Sequence, residues 1–353
     1  MNRNALVVGS TGISGNNLAN LLIAEGWSVY GLARRAPDGS DIRPVRADLM
    51  DVEATRTALA GLDISHVFFC TWARQDTEAE NCRVNGAMLR NLLEALPGPV
   101  EHVALTTGLK HYLGPFESYG KVKPDTPFSE EQERLPYQNF YYEQEDILMA
   151  EGAKSGFRWS VHRPHTMIGW AVGNAMNMGV TLAVYAAICK ETGRPFVFPG
   201  TPEQYEAVTD ISDARIVAKQ LLWAATTPSA ANQAFNTVNG DVFRWRRMWG
   251  VVAAALGVEA APYPGHPQPL EAQMADAGPI WDRIVEKHGL HPHKVETLAS
   301  WWHTDADLGR TLETLTDMTK SRRFGFRELQ VSEDSFLDLF ARLRGAKLIP
   351  ELG

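Results

Sequence analysis

One lysine and two adjacent tyrosines have the residue types an enzyme uses to hold a developing oxyanion. Lys110 lies in Ala104-Leu105-Thr106-Thr107-Gly108-Leu109-Lys110-His111-Tyr112-Leu113-Gly114-Pro115-Phe116, which reads as a buried strand end running into a loop. Tyr141 and Tyr142 lie in Asn139-Phe140-Tyr141-Tyr142-Glu143-Gln144-Glu145-Asp146. The acids of that segment suit the first turns of a helix, where the macrodipole favours negative charge. Gly120, Pro124, Pro127 and Pro136 mark a loop between the two segments. An ammonium beside a phenol at the mouth of a sheet suits reactions that place negative charge on a substrate oxygen.

The elements that must position these groups begin at the N-terminus. Ala5-Leu6-Val7-Val8 is a short apolar run, the pattern of a buried parallel strand. Gly9-Ser10-Thr11-Gly12-Ile13-Ser14-Gly15 follows, and Leu18, Leu21 and Leu22 then recur at helical spacing. A glycine-rich turn between strand and helix is a dinucleotide-binding signal. Gly9 permits the tight turn, Gly12 lets backbone approach a pyrophosphate, and Gly15 lets the helix pack on the strand. The helix N-terminus, around Thr11 and Ile13, presents N–H groups to phosphate.

The second strand, Trp27 to Ala33, ends at Arg34-Arg35. An acid here would accept from the ribose 2′-hydroxyl of NAD, whereas two guanidiniums suit the 2′-phosphate of NADP(H). Ile42 to Ala47 is a third strand, and Asp48-Leu49 after it faces the adenine side of the cofactor or serves the helix that begins near Asp51. Ile64 to Cys70 is the fourth strand, with Thr71-Trp72-Ala73 at the cofactor edge. Glu80 to Leu96 reads as a helix, Val103 to Thr107 as the fifth strand, and Arg158 to His162 as the sixth, ending at Arg163-Pro164. This alternation predicts an α/β chain with a doubly wound parallel sheet, the Rossmann arrangement.

Beyond Pro164 the pattern changes. Asn174 to Glu191, Trp245 to Leu256, Ile280 to His288 and Ser332 to Leu343 read as helices. Pro195 to Pro199 reads as extended, Val208 to Ala214 as a strand end with a helix cap, and Pro262 to Pro269 as a loop. We therefore expect a cofactor domain over residues 1–170 and a smaller, mainly helical substrate lobe over 171–353, with some segments returning to the sheet. Met176, Met178, Phe196 and Phe198 line an apolar pocket or fill the core of that lobe.

Composition narrows the function classes. The 353 residues are 44% hydrophobic and 22% charged, an ordinary globular balance, and the net charge of −8 disfavours nucleic acid. Cys70, Cys82 and Cys189 fit neither a disulfide framework nor a metal site. The N-terminus shows no signal-peptide pattern and no run is long enough to span a bilayer, so a cytoplasmic location without membrane attachment is expected.

The chain resembles one divergent group of extended short-chain dehydrogenases/reductases, the progesterone 5β-reductase and iridoid synthase-like enone reductases. The resemblance rests on Thr107-Gly108-Leu109-Lys110-His111-Tyr112-Leu113-Gly114-Pro115-Phe116-Glu117-Ser118-Tyr119-Gly120-Lys121 and on the double-tyrosine segment through Ile147. Ala33-Arg34-Arg35, Thr71-Trp72-Ala73, Glu80-Asn81-Cys82, Ser160 to Pro164, Val184 to Lys190 and Asn239 to Trp245 extend it over nearly the whole chain. Ordinary short-chain dehydrogenases carry a lysine four residues after the tyrosine. Here Glu145 follows Tyr141 and Asp146 follows Tyr142. The resemblance instead implies that Tyr141 and Lys110 are the functional pair, with Thr107, Tyr141, Pro164 and Met167 beside the cofactor.

What the resemblance implies is NADPH-dependent reduction of the C=C bond of a small, apolar α,β-unsaturated carbonyl. Hydride would reach the β-carbon, with Tyr141 holding the forming enolate oxygen and Lys110 supporting its charge. A homodimer would follow from the resemblance alone. After His162-Arg163-Pro164 the plant members continue Gly-Asn-Ile, whereas this chain has His165-Thr166-Met167. His165 and His111 are further acid/base candidates, although a lone histidine is more often structural. The alternatives are a carbonyl reductase or epimerase-like enzyme on the same fold, and a non-catalytic NADP sensor.

Overall fold

The computed structural model describes residues 3–35, 41–115 and 124–352. Gly120 and the Phe116-to-Lys121 part of the lysine motif lie outside the described residues. The first part runs β1 (Asn4–Val8), α1 (Ile13–Ala24), β2 (Ser28–Ala33), β3 (Arg43–Arg46), α2 (Val52–Leu59), β4 (His66–Phe69) and α3 (Glu78–Ala95). It continues with β5 (His102–Thr106), α4 (Lys110–Leu113), α5 (Phe140–Ser155), β6 (Arg158–Pro164) and β7 (Met167–Ile168). Next come α6 (Met178–Thr192), α7 (Pro202–Glu206), β8 (Ser212–Asp213), α8 (Ala214–Thr226), β9 (Gln233–Thr237) and α9 (Trp245–Leu256). The chain ends with α10 (Leu270–Gln273), α11 (Ala277–His288), α12 (Val295–Leu298), α13 (Trp301–Leu308), α14 (Thr319–Arg323) and α15 (Ser332–Gly345).

Seven described strands form one parallel sheet in the order β3-β2-β1-β4-β5-β6-β9. The fold class is thus the doubly wound α/β sheet expected. Strand alternation divides the core into two layers. Leu6 and Val8 of β1 join Leu89, Leu92 and Leu148 on the α3 and α5 face. Ala5 and Val7 join Leu18, Leu22, Val217 and Leu221 on the α1 and α8 face. Successive side chains of a strand point to opposite faces, so one apolar run supplies both layers. The strand order reverses between β1 and β4, which opens a crevice at the carboxyl ends of the central strands.

The later segments build a separate apolar cluster from α6, α9, α11 and α15, with Phe196, Phe198 and Met178 in its interior. These three residues are core; Met176 lies at the central cleft instead. α8 and β9 come from the second half yet complete the sheet, α8 carrying Val217 and Leu221 into the inner layer and β9 pairing with β6. Two local readings change. Lys110 opens a one-turn helix rather than sitting in a loop, and α6 begins at Met178 rather than Asn174. No helix among the described residues is long and apolar enough to cross a membrane.

Candidate active site

The glycine turn shapes one wall of the cleft by leaving no room for side chains. Gly9 has φ +81, and a Cβ there would stand 2.8 Å from both the Cys70 carbonyl oxygen and Thr71 Cβ. A Cβ on Gly15 would stand 2.3 Å from the Gly9 carbonyl oxygen, so this glycine serves the packing of α1 on β1. Gly12 is the N-cap of α1 and provides no side-chain cap, and Ile13 and Ser14 of the first turn line the cleft. Uncapped N–H groups beside a turn with glycine at positions 9 and 12 fit the pyrophosphate of a dinucleotide.

The cleft measures about 320 Å³. Gly9, Thr11, Gly12 and Ile13 line it from the turn after β1, and Thr71 and Trp72 from the end of β4. Thr107, Gly108 and Lys110 enter from the end of β5, Tyr141 from α5, and Pro164, His165, Thr166 and Met167 from the end of β6. Strands that are far apart in sequence thus bring most of the expected site residues together.

Tyr141 and Tyr142 diverge, as neighbours about 100° apart on a helix must. Tyr141 faces the cleft, where a Cβ on Gly108 would lie 3.2 Å from its hydroxyl oxygen. Tyr142 is buried, donates its hydroxyl to the His111 carbonyl oxygen at 2.5 Å and accepts from the Leu135 amide at 3.1 Å. Burial is the first cause that raises the Tyr142 phenol above its ordinary range.

Lys110 stands at the start of α4 with its side chain 7% exposed. Its ammonium donates to Glu78 Oε2 at 2.9 Å and lies 4.8 Å from the Phe140 ring centroid. Two side chains tie this turn to the tyrosine helix. Asn139 caps α5, accepting from the Tyr141 amide at 3.0 Å, and its own amide donates to the Lys110 carbonyl at 2.7 Å. Glu78 Oε1 accepts from the Phe140 amide at 2.9 Å. Trp72 stacks on Phe140 with ring centroids 5.5 Å apart.

The histidines separate as well. His111 is buried away from the cleft between Tyr112 and Tyr142, with Nδ1 3.5 Å from Glu145 Oε1. Burial first, with the nearby Arg163 and Arg134 charges, lowers its pKa against the pull of Glu145. Its surroundings are those of a structural residue. His165 does line the cleft, with Nε2 2.5 Å from Asp210 Oδ1. Thr166 beside it has φ +42, a conformation a β-branched residue rarely takes, and accepts from Arg310 Nη1 at 3.2 Å.

Six expected cofactor residues are not on the cleft wall. Gly15 lies beneath the turn. Arg34 and Arg35 are exposed in the turn that ends β2. Asp48 accepts from the Met50 amide, while Asp51 caps α2 through the Ala54 amide, so the helix cap belongs to Asp51. Leu49 packs into the core, and its carbonyl accepts from Asn91. Both backbone groups of Ala73 are taken by the Asn85 side chain. Sequence reasoning missed Glu78, although Thr77 with Glu80 three residues on is a capping signal that starts the helix at Glu78, two residues before the start inferred. Asn174, Met176, His303, Asp307 and Arg310 also line the cleft. Met176 thus takes the pocket side of the two readings given for it, and the other four come from the far lobe with no local motif to mark them.

Residues 40–350 match the PRISE-like Rossmann-fold domain. The chain belongs to this family. It is 42% identical over 364 residues to an (S)-8-oxocitronellyl enol synthase of Camptotheca acuminata, covering 98% of this chain and 93% of that protein. It is 40% identical over 362 residues to a 3-oxo-Delta(4,5)-steroid 5-beta-reductase of Arabidopsis thaliana, with the same coverages. Family membership makes the chain an oxidoreductase. Among solved structures, UDP-glucose 4-epimerase of Thermus thermophilus in complex with NAD superposes with TM-score 0.66 at 19% identity, over 97% of this chain and 99% of that one. At that identity the likeness is one of fold.

Proposed function

We propose that this PRISE-like protein is an NADPH-dependent enone reductase, acting on the C=C bond of a small, apolar α,β-unsaturated carbonyl compound. The observation that carries the proposal is the convergence of Tyr141 and Lys110 on one cleft, while Glu145, in the position of the usual lysine, is turned into a buried ion-pair network. The relatives, a steroid reductase and an enol synthase by name, support the same chemistry. Gly9, Thr11, Gly12 and Ile13 would hold the pyrophosphate, Arg34 and Arg35 the 2′-phosphate, and Asp48 and Leu49 the adenine side. Thr71, Trp72, Thr107, Pro164 and Met167 would border the nicotinamide half.

NADPH, when bound, supplies the hydride for the β-carbon. The Tyr141 hydroxyl donates a hydrogen bond to the substrate carbonyl oxygen, and that bond strengthens as the oxygen gains enolate charge. Lys110, its side chain 7% exposed, adds a positive charge to the site, and a charge shielded from bulk water acts more strongly than one in solution. The enolate α-carbon then takes a proton from solvent water, and the saturated ketone forms. Trp72 and Met176 offer apolar surface for the hydrocarbon part. In this reading the far lobe, through Met176, His303 and Arg310, closes the cleft over the substrate.

NADPH oxidation with 2-cyclohexen-1-one, with the product identified, tests the proposal. A saturated ketone supports it. An allylic alcohol makes the protein a carbonyl reductase, and no turnover across enones and enals overturns the reading. Lys110→Met should lower kcat and kcat/KM together if the ammonium acts chiefly in the transition state. A weaker NADPH affinity with kcat spared at saturation would place the lysine on the cofactor instead.

A further inference from the structure

Among the described residues, Glu78 is the acid paired with Lys110, and its two carboxylate oxygens do different things. Oε1 accepts from the amide of Phe140, the first residue of the helix that carries Tyr141. Oε2 accepts from the Lys110 ammonium at 2.9 Å and from Asn81 Nδ2 at 3.1 Å. The carboxylate stands in the first turn of α3, which Thr77 caps. One side chain therefore links three elements: α3, the lysine turn α4 and the start of α5.

The pair is nearly closed to water, with side-chain exposures of 7% for Lys110 and 10% for Glu78. An ammonium buried without a counter-charge loses its hydration and gives up its proton at lower pH. The Phe140 ring, 4.8 Å from Nζ, offers a weaker attraction than a carboxylate does. Removal of Glu78 would thus favour the neutral form of the lysine and take away the carboxylate that ties it to the start of the Tyr141 helix.

We propose that Glu78 is the positioning residue of this site: its carboxylate keeps the Lys110 ammonium charged and held at the cleft, and fixes the start of the Tyr141 helix. The inference rests on the reading of Lys110 and Tyr141 as the functional pair. It involves no bond-making step by Glu78 itself.

Glu78→Gln separates the two tasks, because its amide oxygen can still accept from Phe140 N while the charge is gone. In this variant kcat should be near the wild-type value at pH 6 and fall at least about tenfold below it by pH 9, so that the alkaline limb moves to lower pH. KM should change little. Glu78→Asp, which keeps the charge, should restore the position of that limb even where its shorter reach lowers kcat. In a Lys110→Met background, Glu78→Gln should cost nothing further, since Glu78 acts through the lysine. A loss equal at every pH, or one that persists undiminished in the Lys110→Met background, overturns the proposal and leaves Glu78 a packing residue.

A second readout needs no turnover. Cyanate, a small reagent, carbamylates only neutral amines, and peptide mass spectrometry follows Lys110 alone. Lys110 should be modified several-fold faster in Glu78→Gln than in the wild type or in Glu78→Asp. Equal rates in all three overturn the charge-holding role. Faster modification with no enone reduction by the wild type would instead uphold Glu78 and remove the proposed function.

Discussion

Glu145, one helical turn after Tyr141, is bound to Arg163 rather than to anything in the cleft. Its Oε1 lies 3.2 Å from Arg163 Nη2, and Arg134 and His111 complete its surroundings at 3.1 and 3.5 Å. Burial pushes this carboxyl up, but the His111 hydrogen bond and the Arg163 and Arg134 charges outweigh it and hold it at about 2. The position that holds a lysine in ordinary short-chain dehydrogenases has become the anionic centre of a buried network. That network also takes in Tyr112, which accepts from Arg163 and donates to Asn236.

Glu145→Ala should therefore act on stability. Breaking a buried pair from one side leaves Arg163 without its counter-charge and costs about 3–5 kcal/mol. Glu145→Lys, which writes the usual Tyr-x-x-x-Lys pattern into the chain, should cost more, because it sets an ammonium against two guanidiniums. Urea denaturation of the three proteins checks this. A Glu145→Lys protein as stable as the wild type, with unimpaired turnover, would sink the assignment.

The two tyrosines should separate activity from stability. Tyr141→Phe removes a cleft-facing hydroxyl and should lower kcat by about a hundredfold or more with NADPH affinity nearly intact. Tyr142→Phe removes the donor to the His111 carbonyl and leaves the Leu135 amide without its acceptor. It should cost about 1–3 kcal/mol of stability and little turnover. Steady-state kinetics with thermal denaturation decides; a kcat collapse in Tyr142→Phe alone would exchange the two roles.

Under the proposed function, Arg34 and Arg35 should set the cofactor preference. Both are exposed at the end of β2, where a phosphate can reach them. Each charged hydrogen bond contributes about 1.5–3 kcal/mol at most. The double Arg→Ala variant should bind NADPH at least about tenfold more weakly and NADH almost unchanged. Titration of both nucleotides by fluorescence tests it, and parallel losses for the two would refute 2′-phosphate recognition.

The parts of this molecule visible in its sequence are those written in local pattern. Ala5-Leu6-Val7-Val8 and Ile64 to Cys70 read as buried strands because apolar residues continue on both faces, and Trp245 to Leu256 reads as a helix from its 3.6-residue period. β9, with Gln233 and Asn236 in five residues, carries no apolar run and is a strand because β6 offers it an edge. Lys110 and Tyr141 were legible through the motif around them. The carboxylate that holds Lys110 was not, because Glu78 looks like any acid in a helix's first turn until Phe140 and Lys110 fold onto it. Arg310 and Asp307 reach the cleft from the opposite end of the chain, and only tertiary packing brings them there. His165 and His111 look alike in sequence; the cleft wall separates them.

Three further histidines should set the acid limit of stability. His66, His102 and His162 are buried in adjacent strands β4, β5 and β6. Ser160 joins two of them, 2.9 Å from His102 Nε2 and 2.9 Å from His162 Nε2, and Gln220 Oε1 lies 2.8 Å from His162 Nδ1. Burial is the leading cause of a lowered pKa in all three, and it brings His162 down to about 4. In the unfolded chain a histidine titrates near ~6.5. Between these values the unfolded state binds more protons than the folded state, so stability falls as pH falls. The full contribution is present above pH ~6.5, and a histidine takes away up to about 1.4 kcal/mol per pH unit below it until its own folded-state pKa is reached. His162 alone accounts for on the order of 3 kcal/mol by pH ~4. Glu145 adds to the loss further down, from the ordinary carboxylate range near ~4.3 toward about 2, since its lowered pKa stabilises the fold only while it stays ionised. Urea denaturation at pH 7, 6 and 5 should show a steepening decline, and His162→Gln, which does not titrate, should flatten it after allowance for its own cost at pH 7. A wild-type stability unchanged from pH 7 to 5 would mean that the three histidines are not held neutral in the fold.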